Sequence, residues 1–450
     1  MGLTHQMCIP NVGLKCKLII IKMNKEVNCI FTICATNYVG LAKALEASVL
    51  KYTTNVTFMI IVADEPSPQI SKSFSDNILV AKNILPYKRE KWHEMAFKYN
   101  LTEFCTSIKP YAFNYFFDYG YEKVIYLDPD ILTFSSMSIV LDYLNNYSAV
   151  VTPHILTPEV NFSGNLEELH LLFSGVYNFG FLALKNTPRS REFTNWWGKR
   201  LEDYCFGDQL MNLFTDQKWG DLLPCFMGTE ALVSENMGLN LAPWNFHERK
   251  LLEEDGCYYV KSRVCESEKK EKLVFVHYSG YNYKLMMTGD IVNNNLKNIK
   301  QYLDLLPLFD AYSNCLKAVD VDTFINERYT YNYFENSDWY ISDQYRKLYR
   351  GYIECGNPNT ENPFSIESTI FVKAKKSGYL QKEKPQLFVF DRKSVSVQNK
   401  ANIINNIMKL IFRIIGPSKY YMLTRLMRRY SIWENHAFLI TGPNENYKLK

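Results

Sequence analysis

Two aspartates at the end of an apolar run are the residues best suited to chemistry. Asp128 and Asp130 flank Pro129 directly after residues 123–127, a run typical of a buried strand. Two carboxylates one residue apart can face a single point beyond a sheet edge, and hard divalent cations prefer such oxygen ligands. A metal there would neutralise charge on a departing diphosphate. An isolated Asp-Pro-Asp is also a common turn, so the interpretation depends on its companions.

The first companion is a histidine that also follows an apolar run. His277 comes after the predicted strand 273–276 and begins the segment His-Tyr-Ser-Gly-Tyr. A neutral imidazole could complete a metal shell, and Gly280 would let the backbone approach a phosphate closely. A structural histidine after a strand is the alternative, and the nearby glycine favours the ligand.

Two further polar pairs suit a sugar. Asn178 precedes Gly180 and a predicted strand, and its carboxamide offers both donors and acceptors to hydroxyls. Asp216 and Gln217 are adjacent, with a rival pair beginning at Asp208, and could bind hydroxyls and stabilise an oxocarbenium-like centre. The alternatives of a turn residue and solvated loop acids stay open at this point.

The elements that must position these residues follow a strand–helix–strand pattern. A strand at 29–34, a helix with apolar residues from Tyr38 to Val49 and a strand at 57–62 have polar residues at the strands' carboxyl ends. Parallel α/β sheets bind ligands at that edge. Further strands are predicted near 78–80, 123–127, 149–151, 180–184 and 273–276, and helices near 90–99, 107–117 and 188–205. We therefore predict an α/β fold with a mainly parallel sheet and C-terminal helical additions.

The ordered set resembles a glycosyltransferase of the GT-A (Rossmann-like) fold, nearest to glycosyltransferase family 8 and bacterial relatives in surface-polysaccharide synthesis. The resemblance covers about residues 27–305. It assigns nucleotide binding to one set of residues, metal binding to a second and sugar binding or catalysis to a third. These are, in turn, Ala35, Asn37, Tyr38, Asp64, Lys109, Asp128, Gly180, Gly280 and Lys284; Asp128, Asp130 and His277; and Asn178, Asp216 and Gln217.

The resemblance implies a metal-dependent hexosyltransferase that uses a nucleotide-diphospho-sugar, commonly a UDP-sugar with Mn2+ or Mg2+, and retains the anomeric configuration. A glycan or lipid-linked glycan would be the acceptor. Lys284 lies seven residues after His277, where the family has six, and Thr36 replaces the family's usual acid. A non-catalytic sugar-nucleotide or partner-binding module on the same fold is the alternative function.

Composition narrows the class of protein. Hydrophobic residues make up 47% and charged residues 22% of 450 residues, which excludes extensive disorder. The 11 cysteines contain no C-x-x-C pair, so buried thiols in a reducing cytoplasm are expected. We predict four regions: an N-terminal extension at 1–26, the transferase domain at 27–305, an accessory region at 306–390 and a basic amphipathic helical tail at 391–450.

The tail is strongly basic. Residues 392–429 contain nine Lys or Arg and no Asp or Glu, and aliphatic residues from Ile403 to Ile414 recur at helical spacing. Such a helix suits an anionic membrane surface, while packing on the domain or binding nucleic acid are the alternatives. The aliphatic face favours lipid over nucleic acid, and the net charge of +4 is too small to indicate a nucleic-acid partner. We expect a cytoplasmic protein, and membrane binding by the tail would make it peripheral on the inner face of the membrane.

Overall fold

The computed structural model describes residues 27–266, 269–293, 296, 299–356, 361–382 and 395–441. The predicted extension at 1–26 lies outside them. The strands are β1 (Asn28–Cys34), β2 (Thr57–Val62), β3 (Ile78–Val80), β4 (Lys123–Leu127), β5 (Ile131–Thr133), β6 (Ala149–Val151), β7 (Phe181–Lys185), β8 (Gly207–Asp208), β9 (Leu213–Phe214), β10 (Ala231–Val233), β11 (Arg249–Glu254), β12 (Cys257–Ser262), β13 (Lys270–Lys272) and β14 (Phe275–His277).

Helices alternate with the strands through the first half of the chain and dominate its end. They are α1 (Val39–Tyr52), α2 (Pro68–Lys72), α3 (Ala81–Ile84), α4 (Arg89–Lys98), α5 (Leu101–Ser107), α6 (Lys109–Tyr119), α7 (Ser138–Asn146), α8 (Glu168–Ser174), α9 (Pro188–Tyr204), α10 (Gln217–Gly220), α11 (Leu223–Met227), α12 (Tyr283–Met287), α13 (Leu306–Ala318), α14 (Asp322–Ile325), α15 (Asp343–Glu354), α16 (Thr369–Lys376) and α17 (Val395–Tyr430).

The central sheet has seven strands in the order β10-β6-β7-β4-β1-β2-β3. Only β7 runs antiparallel to its neighbours, so the predicted mainly parallel α/β fold is confirmed. The strands β1, β4 and β7 are almost wholly buried because apolar clusters cover both faces of the sheet. Because β1, β2 and β4 run parallel to one another, their carboxyl ends meet at one edge of the sheet.

One predicted core strand lies elsewhere. The apolar run at 273–276 ends in β14, which leaves the central sheet and pairs antiparallel with β5. The chain turns after Asp130 into β5, and the register sets His277 opposite Ile131. This small ladder joins the histidine to the two aspartates across almost 150 residues of sequence.

The accessory region shares a hydrophobic core with the sheet domain. Apolar residues of α15 and α16 belong to the same buried cluster as Phe97 of α4. The guanidinium of Arg346, which is 1% exposed, donates to the carbonyl oxygens of Ala96, Phe97 and Tyr99 at 2.7–3.0 Å. The described part of residues 306–382 is thus packed firmly on the sheet domain.

Helix α17 has a kink at Gly416, whose φ is +76° and which precedes Pro417. None of residues 398–430 is buried. After α17, the 3-10 helix Trp433–Leu439 returns to the body, where Glu434 Oε1 accepts from Arg350 Nε at 2.9 Å. Within the described ranges, no helix has the length and apolarity needed to span a bilayer.

Candidate active site

The structure brings the three predicted metal residues together. His277 Nε2 lies 3.1 Å from Asp130 Oδ1 and 3.6 Å from Asp128 Oδ2. One ligand atom from each residue falls within 4.8 Å of the others. Asp128 and Asp130 are there because β4 ends at Leu127, and His277 is there because β14 pairs with β5.

Gly180 explains how closely these groups converge. A Cβ atom at this position would lie 2.4 Å from His277 Cε1, 2.6 Å from Asp128 Oδ2 and 2.9 Å from Asn178 Oδ1. Any side chain would therefore displace a predicted metal ligand. Two carboxylates and an imidazole around such a space fit a divalent cation such as Mn2+ or Mg2+.

The charges of the three groups are interdependent. Burial raises the pKa of the Asp128 carboxyl, although Lys109 and His277 oppose that effect. Burial would lower the pKa of His277, but the carboxylates of Asp130 and Asp128 outweigh it, so the pKa of His277 is raised. Tyr126 Oη also donates to Asp128 Oδ1 at 2.5 Å. The cluster therefore concentrates negative charge where a cation would be bound.

The two predicted sugar-binding carboxamides lie directly against this cluster. Asn178 Oδ1 is 3.2 Å from His277 Nδ1, and Asn178 Nδ2 donates to Gln217 Oε1 at 3.3 Å. Gln217 Nε2 in turn donates to the Ser174 carbonyl oxygen at 2.8 Å. Both residues are 7% exposed, so only a small part of each side chain is accessible to a ligand.

A buried ion pair lies next to these two carboxamides in the structure. Lys109 Nζ lies 2.6 Å from Asp216 Oδ2, donates to the Phe179 carbonyl oxygen at 2.8 Å and sits 4.1 Å from the Tyr126 ring centroid. Pro110 in the first turn of α6 favours a helix start at Lys109, two residues after the start predicted from the sequence. The lysine thus contacts both Asp216 and the tyrosine that bonds Asp128.

The rival pair lies outside this arrangement. Asp208 Oδ1 accepts from Leu210 N at 2.8 Å, and its Oδ2 faces Lys347 of the accessory region at 3.4 Å. Asp208 therefore caps a short turn and joins two regions, while Asp216 lies beside Asn178 and Lys109.

The predicted nucleotide end is built around Asp64, which is 1% exposed. Its Oδ1 accepts from Thr36 N at 2.8 Å and from Thr36 Oγ1 at 2.7 Å. Burial raises the pKa of Asp64, and the bonds from Thr36 counteract the increase. Asp64 thus fixes the turn that follows Ala35 through these two hydrogen bonds from Thr36. Asn37 Oδ1 in that turn is buried without a hydrogen-bond partner among the described residues.

The remaining predicted residues are Tyr38, Gly280 and Lys284. Tyr38 has its ring 5.3 Å from that of Tyr283 in α12. Gly280 has φ of +76°, a conformation that glycine adopts without strain. Lys284 is exposed on α12 and has no ion pair in the described part of the chain.

Sequence reasoning missed a buried irregular segment beside the metal cluster. Every residue from 238 to 249 is buried, although the segment is neither helix nor central strand for most of its length. Its Trp244 ring lies 5.2 Å from the His277 ring at 90°. Asn240 Nδ2 donates to Asn178 Oδ1 at 3.1 Å and to Thr152 Oγ1 at 2.9 Å. No periodicity marks such a segment; only its mixture of aromatic and carboxamide residues could have drawn attention.

A mainly parallel sheet with an acidic cluster beyond the carboxyl end of β4 is the architecture of a GT-A glycosyltransferase. The chain belongs to glycosyl transferase family 8, whose sequence model matches residues 29–285. That stretch contains every residue predicted for the site.

Individual relatives are distant. The chain is 25% identical over 185 residues to the uncharacterised protein YfnD of Bacillus subtilis (strain 168), which covers 40% of this chain and 54% of YfnD, so it spans about half the length of that curated relative. The galactosyltransferase LgtC, solved with donor and acceptor sugar analogues, matches 65% of this chain and 96% of its own at 15% identity and a TM-score of 0.39. The glycosyltransferase GlyE of Streptococcus pneumoniae TIGR4 matches 68% and 66% at 11% identity and a TM-score of 0.33.

Proposed function

We propose that this glycosyltransferase moves a hexose from a nucleotide-diphosphate donor, most simply a UDP-sugar, to a glycan acceptor with retention of configuration. The observation that carries the proposal is the convergence of Asp128, Asp130 and His277 over Gly180. These residues would hold Mn2+ or Mg2+, which supplies charge neutralisation at the leaving diphosphate.

The chain's own residues would bind and orient the donor. Asn37 offers an unpaired acceptor at the nucleoside end, and the Thr36–Asp64 bonds keep its turn in place. At the other end, Gly280 allows close backbone approach and Lys284 offers a cation that can reach a phosphate.

Asp216 would act at the sugar. Lys109 fixes its carboxylate beside Gln217, and the ion pair is shielded from water because both side chains are almost fully buried. A fixed carboxylate stabilises positive charge that develops on the anomeric carbon. Retention would follow if the acceptor hydroxyl attacks from the face that the diphosphate leaves.

Donor hydrolysis tests the proposal without knowledge of the acceptor. The purified protein is incubated with Mn2+ and a panel of nucleotide-sugars, and release of nucleoside diphosphate is measured. We expect slow hydrolysis of one donor, abolished by EDTA and by Asp130→Asn. Metal-dependent donor binding without hydrolysis or transfer to any glycan would favour the non-catalytic module instead, and absence of both would contradict the transferase function.

We further propose that the acceptor is lipid-linked and that α17 lies on an anionic membrane surface, at the inner face. Apolar side chains of this helix are exposed rather than packed on the domain, among them Ile403 at 61%, Leu410 at 58% and Met422 at 70%. Seven Lys or Arg and no acid share the helix with them. Apolar and cationic side chains together match the interface of an anionic bilayer.

Vesicle flotation of the full-length protein tests this surface. We expect binding to phosphatidylglycerol vesicles, weak binding to phosphatidylcholine vesicles and loss of binding when Ile407 and Leu410 are replaced by Ser. Equal behaviour on both vesicles, or no effect of the two substitutions, would contradict membrane docking by α17.

A further inference from the structure

The carboxamides beside the metal cluster have orientations that can be deduced one from another. The Ser174 carbonyl oxygen can only accept, so the nitrogen of Gln217 must face it. The Gln217 oxygen then points the other way, and the Phe179 N–H donates to it at 3.1 Å. Two backbone groups thus fix Gln217 in one of its two orientations.

Gln217 in turn fixes Asn178. Because Gln217 Oε1 is an acceptor, it requires the nitrogen of Asn178, which lies 3.3 Å away. Asn178 Oδ1 therefore faces the metal cluster, where it accepts from Gly180 N at 3.2 Å and from Asn240 Nδ2 at 3.1 Å. Three separate donors or acceptors agree on this orientation.

The chain of orientations ends at the histidine. His277 Nδ1 lies 3.2 Å from Asn178 Oδ1, and an acceptor oxygen at that place requires a proton on Nδ1. A neutral His277 with its proton on Nδ1 has a lone pair on Nε2, the atom that faces Asp130 and Asp128. The hydrogen bond that one ring nitrogen of a histidine makes determines whether the other nitrogen can ligate a metal.

Asn240 is placed to contribute to the same control. It is fully buried, and its Oδ1 has no hydrogen-bond partner among the described residues. The position therefore uses the nitrogen of the carboxamide, which bonds Asn178 and Thr152.

We propose that Gln217, Asn178 and Asn240 form a carboxamide relay that fixes the tautomer of His277 and thereby sets the affinity of the metal site. The relay residues position the ligand and do not themselves bind the cation. This inference rests on the proposed function because it presumes a metal at Asp128, Asp130 and His277.

The affinity of the full-length, metal-free protein for Mn2+ tests the relay, with free Mn2+ measured by electron paramagnetic resonance and no donor present. Asn178→Leu and Asn178→Asp have similar volumes, but only Asp retains an acceptor for His277. We expect about 10–100-fold weaker binding in the Leu variant and no loss in the Asp variant. Asn186→Leu, at the opposite end of β7, is the matched control and should bind Mn2+ like the wild type.

A double-variant cycle separates the relay from a general loss of packing. Gln217→Leu should weaken Mn2+ binding in the wild-type background, because it frees Asn178 to rotate. In the Asn178→Asp background it should have no such effect, because a carboxylate presents an acceptor in either orientation. This pair also decides the matter if Asn178→Leu fails to fold, as judged by circular dichroism.

The failures of the two proposals are distinguishable. Wild-type protein that binds neither Mn2+ nor Mg2+ would overturn the metal site and the relay with it. Wild-type binding that is unchanged in Asn178→Leu, or an equal loss from Gln217→Leu in both backgrounds, would overturn the relay alone. The relay also predicts weaker Mn2+ binding in Asn240→Leu, because one of the donors to Asn178 Oδ1 is then removed.

Discussion

The carboxyl edge of the sheet and helix α17 break the usual rule of burial in opposite ways. At the sheet edge, charged and polar residues are buried in bonded pairs, such as Lys109 with Asp216 and Asn178 with Gln217. Along α17, large apolar residues are exposed with no part of the described chain over them. Each arrangement is costly for an isolated chain.

The difference between the two regions shows what each still requires. The sheet edge has its hydrogen bonds largely satisfied internally, so it is preorganised and needs only a small, charged ligand. Helix α17 has an unsatisfied apolar face, so it needs an extended surface. This contrast agrees with the proposals of a metal and a nucleotide at the sheet edge and of a membrane surface at α17.

Removal of Asp130, a proposed metal ligand, should have the largest effect on donor hydrolysis. We expect Asp130→Asn to lower donor hydrolysis about a thousandfold, because loss of several kcal/mol of charge stabilisation corresponds to that factor. Initial rates at saturating Mn2+ give the measurement. Asp142→Asn, an exposed aspartate on α7, should leave the rate unchanged, and activity above half of wild type in Asp130→Asn would refute the metal role.

The buried ion pair should prove necessary for stability as well as for shape. Lys109→Met leaves Asp216 buried without its partner, which costs about 3–5 kcal/mol. Chemical denaturation monitored by fluorescence measures the free energy of unfolding. Lys199→Met removes an ion-pair partner of Glu202 whose own side chain is 71% exposed, and should cost less than about 1 kcal/mol. If the two variants lose similar stability, the pair does not have the importance that its burial indicates.

Charge removal should weaken the docking of α17 to membranes. Replacing Arg425, Arg428 and Arg429 by Gln removes about 3 kcal/mol of attraction to anionic lipid, or about a hundredfold in affinity. Sedimentation with phosphatidylglycerol vesicles gives the partition constant. Gln at the exposed Lys250 and Lys317 of the body serves as control, and an equal loss there would show that the attraction is not specific to the helix.

The space over Gly180 should accept no methyl group. Gly180→Ala would push His277 and Asp128 apart, so we expect Mn2+ affinity to fall about tenfold. Titration calorimetry measures the affinity. Gly207→Ala is the matched control because a Cβ atom there meets no other atom within 4 Å. Unchanged affinity in Gly180→Ala would mean that the cluster can rearrange freely.

The smallest effect concerns pH. Burial lowers the pKa of His154 to about 4, while its Nδ1 contacts the Val176 carbonyl oxygen at 3.1 Å. The unfolded chain, with a histidine pKa of about 6.5, binds the proton first, so stability falls as pH falls from about 6.5 towards 4. His154→Gln should reduce that loss by about 1 kcal/mol at pH 5.5. Parallel unfolding curves of the two proteins against pH would contradict this assignment.

The sequence revealed the parts of the site that follow strands. Asp128 and His277 each follow an apolar run, and Asn178 lies shortly before one. Because ligands bind at the carboxyl edge of parallel sheets, the place of Asp128 could be inferred without coordinates, whereas His277 reaches it from β14, which lies outside the central sheet. Assignments that rested on the family pattern, such as the nucleotide contacts of Lys284 and Ala35, remain predictions.

Contacts between distant residues could not be read from spacing. Lys109 and Asp216 are 107 positions apart, and no pattern in either segment indicates their pairing. Asn240 lies in a buried segment without regular structure, where neither a helical nor a strand period applies. The detachment of β14 from the central sheet depended on its pairing with β5, because strands of three residues each have too little sequence to specify a partner.

The return of the chain after α17 determines how that helix can be removed. Glu434 is 3% exposed and bonds Arg350, and a Cβ atom on Gly351 would lie 2.0 Å from the Glu434 carbonyl oxygen. A stop codon ahead of the helix would therefore also uncover the buried guanidinium of Arg350. Excision of residues 398–430 with a short Gly-Ser bridge would keep the contact between Glu434 and Arg350. The helix can in this way be removed without the segment that follows it.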